Sequence, residues 1–184
     1  MNPEQAQEIS ARARCLYTEA EVEAAIDRMA TQITAKLSKH DPILLCVMNG
    51  GLILSGKLAT RLHFPLQIDY LHATRYRDET IGKDLQWRAY PSQSLQGRTV
   101  LLVDDILDEG ITLELIIDYC RQQGASRIVT CVLLDKQHDR KSSGLQADIT
   151  GLAVEDFYLF GYGMDYKGYL RNAPGIFAVA ESEC

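Results

Sequence analysis

A single α/β domain, with a mostly parallel central sheet flanked by helices, is the fold class that the sequence predicts. Three observations point to it. Short, largely apolar runs at Ile43 to Met48, Thr99 to Val103 and Arg127 to Leu134 read as strands buried on both faces, as parallel strands are. The stretches between them repeat apolar residues at helical spacing. The chain has 184 residues, with neither repeat nor linker, and a domain holds roughly 100–200.

The elements follow in order. Thr18 with Glu21 forms a capping-box pattern, and Val22, Ile26, Met29, Ile33 and Leu37 then recur at steps of three or four, which predicts an amphipathic helix ending near Asp41-Pro42. Gly50-Gly51 closes the strand that starts at Ile43, a helix covers about Leu52 to Leu62, and Leu66 to Leu71 is the next strand. Thr74 to Gln96 is a polar excursion of a length typical of functional lids, and a solvated hairpin fits it equally well. After the strand at Thr99 come an acidic turn, Asp104 to Gly110, and a helix from about Thr112 to Gln123 capped by Gly124. A strand over Arg127 to Leu134, a polar loop and short strands at Phe157 to Phe160 and Ile176 to Ala180 complete the chain. Ligands of such sheets bind beyond the carboxyl ends of the strands.

Composition narrows the function. The net charge of −6 argues against a nonspecific nucleic-acid binder or a membrane-surface protein, because neither partner attracts negative charge. Cys15, Cys46, Cys120, Cys131 and Cys184 are odd in number and nowhere spaced CxxC, so they read as reduced thiols of a cytoplasmic protein without a zinc site. Met1 to Ser10 lack the apolar stretch of a signal peptide, and Ile43 to Met48 is too short to span a bilayer.

Leu101 to Leu113 is the segment richest in chemistry, with Asp104, Asp105, Asp108 and Glu109 all inside six positions. Helix capping accounts for about one of these acids. Adjacent carboxylates at a strand end call for a partner with hydroxyl donors or a metal ion to neutralise them, and a sugar diol is one such partner. Gly110 and Thr112 then open a helix whose free amides form a phosphate cradle.

This order of hydrophobic strand, acid pair, Asp108 and Gly110-x-Thr112 resembles the phosphoribosyl diphosphate signature of type I phosphoribosyltransferases. Lys136, Tyr158-Leu159, Gly161 to Tyr166 and Arg171 resemble the purine-binding half of the hypoxanthine-guanine members, and the likeness covers roughly Glu21 to Glu181. It implies one domain over residues 1–184, with a mobile loop at about 74–96 and a small hood of terminal segments to which 149–184 contribute. It also implies magnesium-dependent purine salvage: phosphoribosyl transfer to N9 of hypoxanthine or guanine, in a homodimer or homotetramer.

Carried over, the resemblance gives Asp104 and Asp105 the ribose hydroxyls, and the 5′-phosphate falls to Glu109, Gly110, Ile111 and Thr112. Asp108, the catalytic residue and also one of the residues that bind the diphosphate substrate, lies beside N7, where it relieves positive charge growing on the purine. Asn49, Gly50 and Arg171 take the pyrophosphate, and the Met48-Asn49 bond is often cis in relatives. Lys136 donates to the exocyclic oxygen, Tyr158 stacks on the base and Leu159 reads its edge, with Asp165 nearby. Asp165, through water, and the pair Asp104 and Asp105 are the magnesium residues, and Tyr76 is a lid residue.

The chain departs from the pattern in four places: Glu109 replaces Thr or Ser, Asp104 replaces Glu, Asn49 replaces Lys, and Arg75 replaces Ser. Two like charges about 4 Å apart repel by roughly 4 kcal/mol at an effective dielectric of 20, so Glu109 is expected to point outward, leaving its amide to the phosphate. Two rival readings are weaker. Gly51 to Leu58 nearly spells a nucleotide P-loop but ends in Leu58 where a hydroxyl must hold magnesium. Gly161-x-Gly163 lacks the third glycine of a dinucleotide fingerprint. His40, His63, His72 and His138 show no paired spacing and read as surface or loop residues. A non-catalytic nucleotide-sensing regulator on the same fold, or a xanthine-preferring enzyme, stands as the alternative.

Overall fold

The computed structural model describes residues 1–75, 85–141 and 144–180. Its main sheet has six strands: β2 (Ile43–Val47), β3 (Gln67–Arg75), β4 (Leu85–Ala89), β5 (Thr99–Leu107), β6 (Arg127–Gln137) and β7 (Ile149–Glu155), in the order β4-β3-β2-β5-β6-β7. All neighbours pair in parallel except β4, which runs antiparallel on the edge beside β3. The register sets Leu45 of β2 opposite Leu102 of β5, and Leu102 opposite Thr130 of β6.

Both faces of the sheet are covered, which is why the strands read as continuous apolar runs. On one face lie α2 (Glu19–Leu37) and α3 (Leu52–Ala59), and on the other α4 (Ile111–Gln122). Helix α2 starts at the capping box, where Glu21 accepts from the Thr18 amide at 2.8 Å and the Thr18 hydroxyl accepts from the Glu21 amide. It buries Val22, Ile26, Met29, Ile33 and Leu37 completely against the sheet. Full burial stabilises by about 1.5–3 kcal/mol for each such side chain. Helix α4 buries Leu113, Ile116, Ile117 and Cys120 among Ile43, Leu45, Val100 and Leu102.

A second sheet, β1-β9-β8, joins the two ends of the described chain: β1 (Arg14–Thr18), β9 (Gly175–Ala178) and β8 (Leu159–Phe160). Helix α1 (Pro3–Arg12) precedes it, and Ile9 and Ala13 pack on a small core of Phe160, Tyr166 and Val179. The Tyr17 hydroxyl donates to the Ala153 carbonyl at 2.6 Å and ties this sheet to β7.

Three readings need correction, and the hairpin reading of the polar excursion holds. The acidic turn expected from Asp104 does not start there, because β5 keeps its pairing with β6 through Leu107. Part of the expected polar loop after Leu134 is strand β7, which pairs with β6 at the edge of the main sheet. Helix α1 and strand β1 stand where no element was read. The polar excursion carries β4, so its hairpin reading is the one with described arms, while Tyr76 lies outside the described residues.

Candidate active site

Parallel strands deliver their carboxyl ends to one edge of the sheet. There β2 runs into Met48 to Gly51, β5 into Asp108 to Gly110, and β6 into His138. Between them opens a cleft of about 450 Å³, walled by Asn49, Gly50, every residue from Asp104 to Leu113, Arg171, and by His72 and Arg88. All ten residues read as binding phosphoribosyl diphosphate therefore meet in one cavity. Lys136, Tyr158, Leu159 and Asp165 do not wall it.

The acid pair is held under stress. Asp105 is only 9% exposed, and its amide donates to the Asp104 carboxylate at 2.9 Å. Burial raises the pKa of Asp104 well above the usual carboxylate range, and the neighbouring charge of Asp105 raises it further. Burial also raises Asp105, against a downward pull from Asp104's hydrogen bond and the Arg171 guanidinium. A buried acid pair with so little cationic compensation suits a ligand bearing hydroxyl donors or a hard cation.

Two glycines let the surrounding loops close on this pair. A Cβ at Gly50 would fall 2.1 Å from Asp105 Oδ2, and one at Gly163 would fall 2.0 Å from the Gly50 carbonyl. The loop over Asp105 also contains a cis peptide between Met48 and Asn49, and the Gly51 amide donates to the Val47 carbonyl at 2.8 Å. Arg171 donates to the Gly163 carbonyl at 2.5 Å and pairs with Asp165 at 2.5 Å, while the other Asp165 oxygen accepts from the Gly168 amide.

Gly110 is the N-cap of α4 with φ of 86°, and no side chain caps the helix. The amides of its first turn thus face the cleft without a side-chain acceptor, an arrangement suited to an anion. Glu109 is part of the cleft wall and half-buried. Its charge reaches Arg140, whose pKa is raised chiefly by Asp156 and further by Asp108 and Glu109.

Past β5 and β6 lies a second set of charges. Asp108 receives Lys136 Nζ at 3.1 Å on one oxygen and His138 Nε2 at 2.6 Å on the other. Lys136 is 9% exposed and also pairs with Asp156 at 3.2 Å. Arg140 meets Asp156 at 2.5 Å and lowers its pKa strongly, with Lys136 adding to the effect against burial. A solvated surface role for Lys136 is thereby excluded. Tyr158 is 46% exposed and rests edge-on against Tyr166, with centroids 5.2 Å apart, while Leu159 is buried in β8.

Histidine spacing missed two participants. His72 forms part of the cleft wall, and burial, with Arg88 and Arg171 nearby, lowers its pKa. His138 is buried, its side chain only 5% exposed. Its partner, Asp108, comes from the loop after a different strand, so no pairing within the sequence could reveal it; the one signal was its position just past a parallel strand.

Comparison with known proteins finds relatives over most of the chain. The family model described as "Phosphoribosyl transferase domain" matches residues 15–167. A hypoxanthine-guanine-xanthine phosphoribosyltransferase of Tritrichomonas foetus is 30% identical over 175 residues, which is 92% of this chain and 92% of that protein. The hypoxanthine-guanine phosphoribosyltransferase of Bacillus subtilis (strain 168) is 29% identical over 170 residues, covering 89% and 91%. A solved structure of a hypoxanthine-guanine-xanthine phosphoribosyltransferase superposes with a TM-score of 0.83 at 27% identity, covering 91% of this chain and 97% of that one.

Proposed function

The chain belongs to the phosphoribosyl transferase family, and from that premise we propose that it moves the 5-phosphoribosyl group of phosphoribosyl diphosphate onto N9 of a 6-oxopurine, hypoxanthine or guanine. The products are the nucleoside monophosphate and pyrophosphate, the chemistry of purine salvage. One observation carries the reading: the acid pair, the uncapped start of α4 and the Asp108–Lys136 pair converge at one sheet edge.

Each group then has a task. Asp104 and Asp105 accept hydrogen bonds from the ribose hydroxyls, and the amides of Glu109 to Thr112 with the Thr112 hydroxyl hold the 5′-phosphate. Amides at Asn49 and Gly50, with Arg171, receive the pyrophosphate. When the N9–C1′ bond forms, the N7 proton passes to Asp108 and the N–H electrons stay on the ring, which removes its positive charge. Lys136 donates to the exocyclic oxygen. Adenine offers an amino donor there, and a buried donor left unpaired costs about 1–3 kcal/mol, so adenine is disfavoured. Tyr158 stacks on the base, Leu159 reads its edge through backbone groups, and Asp165 closes that side. Tyr76 is read as a lid residue from the resemblance alone.

Magnesium fits the donor set of Asp104 and Asp105, two carboxylates whose ionised forms a cation would restore, and when bound it neutralises the leaving diphosphate. Asp165 is engaged by Arg171 and the Gly168 amide, which suits it to reach the ion only through water. We also read the chain as a homodimer or homotetramer, a reading supported by the exposed Ile68 and Tyr70, which share one face of β3. The scattered free thiols Cys15, Cys46, Cys120 and Cys131 support a cytoplasmic setting. No described helix is long and apolar enough to cross a membrane.

A spectrophotometric assay with magnesium, phosphoribosyl diphosphate and each nucleobase in turn tests the reading. Turnover of hypoxanthine or guanine is expected, and xanthine belongs in the series because the Tritrichomonas relative is named for it. Turnover confined to adenine or uracil overturns the proposal.

A further inference from the structure

Asp108 is gripped by two donors, and the reaction as read above uses only one of them. Lys136 must turn toward the purine oxygen when a base arrives. His138 has no such second duty. Its ring is buried and lies 2.6 Å from Asp108 Oδ1 through Nε2. The other ring nitrogen settles the tautomer: the Arg140 amide donates to His138 Nδ1 at 3.0 Å, so Nδ1 is an acceptor and carries no proton. The neutral ring therefore holds its proton on Nε2 and donates it to Asp108. Protonating Nδ1 would set it donor to donor against the Arg140 amide.

We propose that His138 is a positioning residue for the transfer reaction: its Nε2–H fixes one oxygen of Asp108, so that the other is presented to N7 of the purine. The inference rests on the 6-oxopurine reading and extends it to a residue outside the cleft wall. A metal ion at the same cluster is the competing use, since Asp108, His138 and Asp156 bring ligand atoms within 4.8 Å of one another. Lys136 argues against it, because its ammonium already stands 3.1 and 3.2 Å from the two carboxylates. The charged groups bearing on Asp108 are Lys136, Arg140 and Asp156, with Glu109 beside it in sequence.

The hydrogen bond makes two demands. Loss of a donor to a charged acceptor lowers turnover by roughly 10- to 100-fold. Without that donor the Asp108 carboxylate also binds a proton more readily, so the acidic limb of the pH–rate profile moves to higher pH.

His138→Ala should show both effects, with KM for phosphoribosyl diphosphate unchanged. His138→Gln, whose amide nitrogen can stand near the Nε2 position, should recover most of the turnover and return the limb to its wild-type place. Nitrogen-15 NMR of the wild-type imidazole should show the Nε2–H tautomer, a readout that needs no variant to fold.

Unchanged turnover and limb in His138→Ala overturn the proposal, as does equal impairment of both variants with an unmoved limb, or an Nδ1–H tautomer in the wild type. Wild-type protein inactive with every 6-oxopurine sinks the functional reading instead, which keeps the two failures apart.

Discussion

In the proposed function Asp108 carries the proton transfer, so its substitution separates chemistry from binding. Asp108→Asn should lower kcat by about 10²-fold or more while leaving the affinity for phosphoribosyl diphosphate nearly unchanged, and a near-normal rate contradicts the role. Asp104 makes the opposite trade. Its pKa is raised by burial and by Asp105, so its ionisation opposes folding: the penalty sets in as pH rises above the ordinary value of 3.8 and is complete above the raised one. Asp104→Asn should therefore raise the melting temperature at neutral pH and weaken donor binding, and a lower melting temperature there contradicts this reading. Glu109 tests the phosphate loop. If its charge is turned toward Arg140, Glu109→Thr leaves donor affinity within about threefold, whereas tightening by orders of magnitude places the carboxylate against the phosphate.

At the scale of elements, Glu23 joins three pieces of the fold. From α2 it pairs with Lys57 of α3 at 2.7 Å and with Arg61 beyond it at 2.5 Å, and it accepts from the Tyr162 hydroxyl at 2.5 Å. Burial opposes its ionisation, but Lys57, Tyr162 and Arg61 together outweigh that and hold its pKa at about 2, against 4.5 ordinarily. Its stabilisation is thus complete above pH 4.5 and lost as pH falls toward 2. Glu23→Gln should melt lower than wild type at pH 7 and lose less stability across that acid window. An unchanged pH dependence contradicts the assignment.

The elements most legible in the sequence were those whose burial imposes a period. Helix α2 shows its buried stripe at steps of three or four, and β2, with all five residues buried, reads as a continuous run. Helix α1 buries only Ala6, so no apolar stripe announces it, although Asn2 and Gln5 form a capping box. Strand β7 mixes Thr150, Gly151 and Glu155 into its run because it lies on the sheet edge, where the burial pattern is broken. Asp104 and Asp105 disguised the end of β5, since a carboxylate in a strand looks like a turn until the cleft beside it is known. The candidate ligand groups near the acid pair were readable because one short segment carries them. The grouping of His138 and Asp156 with Asp108 and Lys136 was not, because three separate chain segments supply those four residues.

For the whole molecule, topology does the gathering. Parallel order places β2, β5 and β6 side by side, so loops far apart in sequence open onto one edge, and the second sheet returns the chain so that Gly163 seats on Gly50. The net charge of −6 is compatible with the proposed anionic donor because Arg171, Arg88 and the start of α4 stand in the same cleft as the acids.

Calorimetric titration of phosphoribosyl diphosphate with magnesium, into wild-type protein and Asp105→Asn, tests most directly whether the acid pair receives the ribose. The account predicts saturable heat in the wild type and affinity at least about tenfold weaker in the variant. No heat in the wild type, or equal affinity in both, contradicts it.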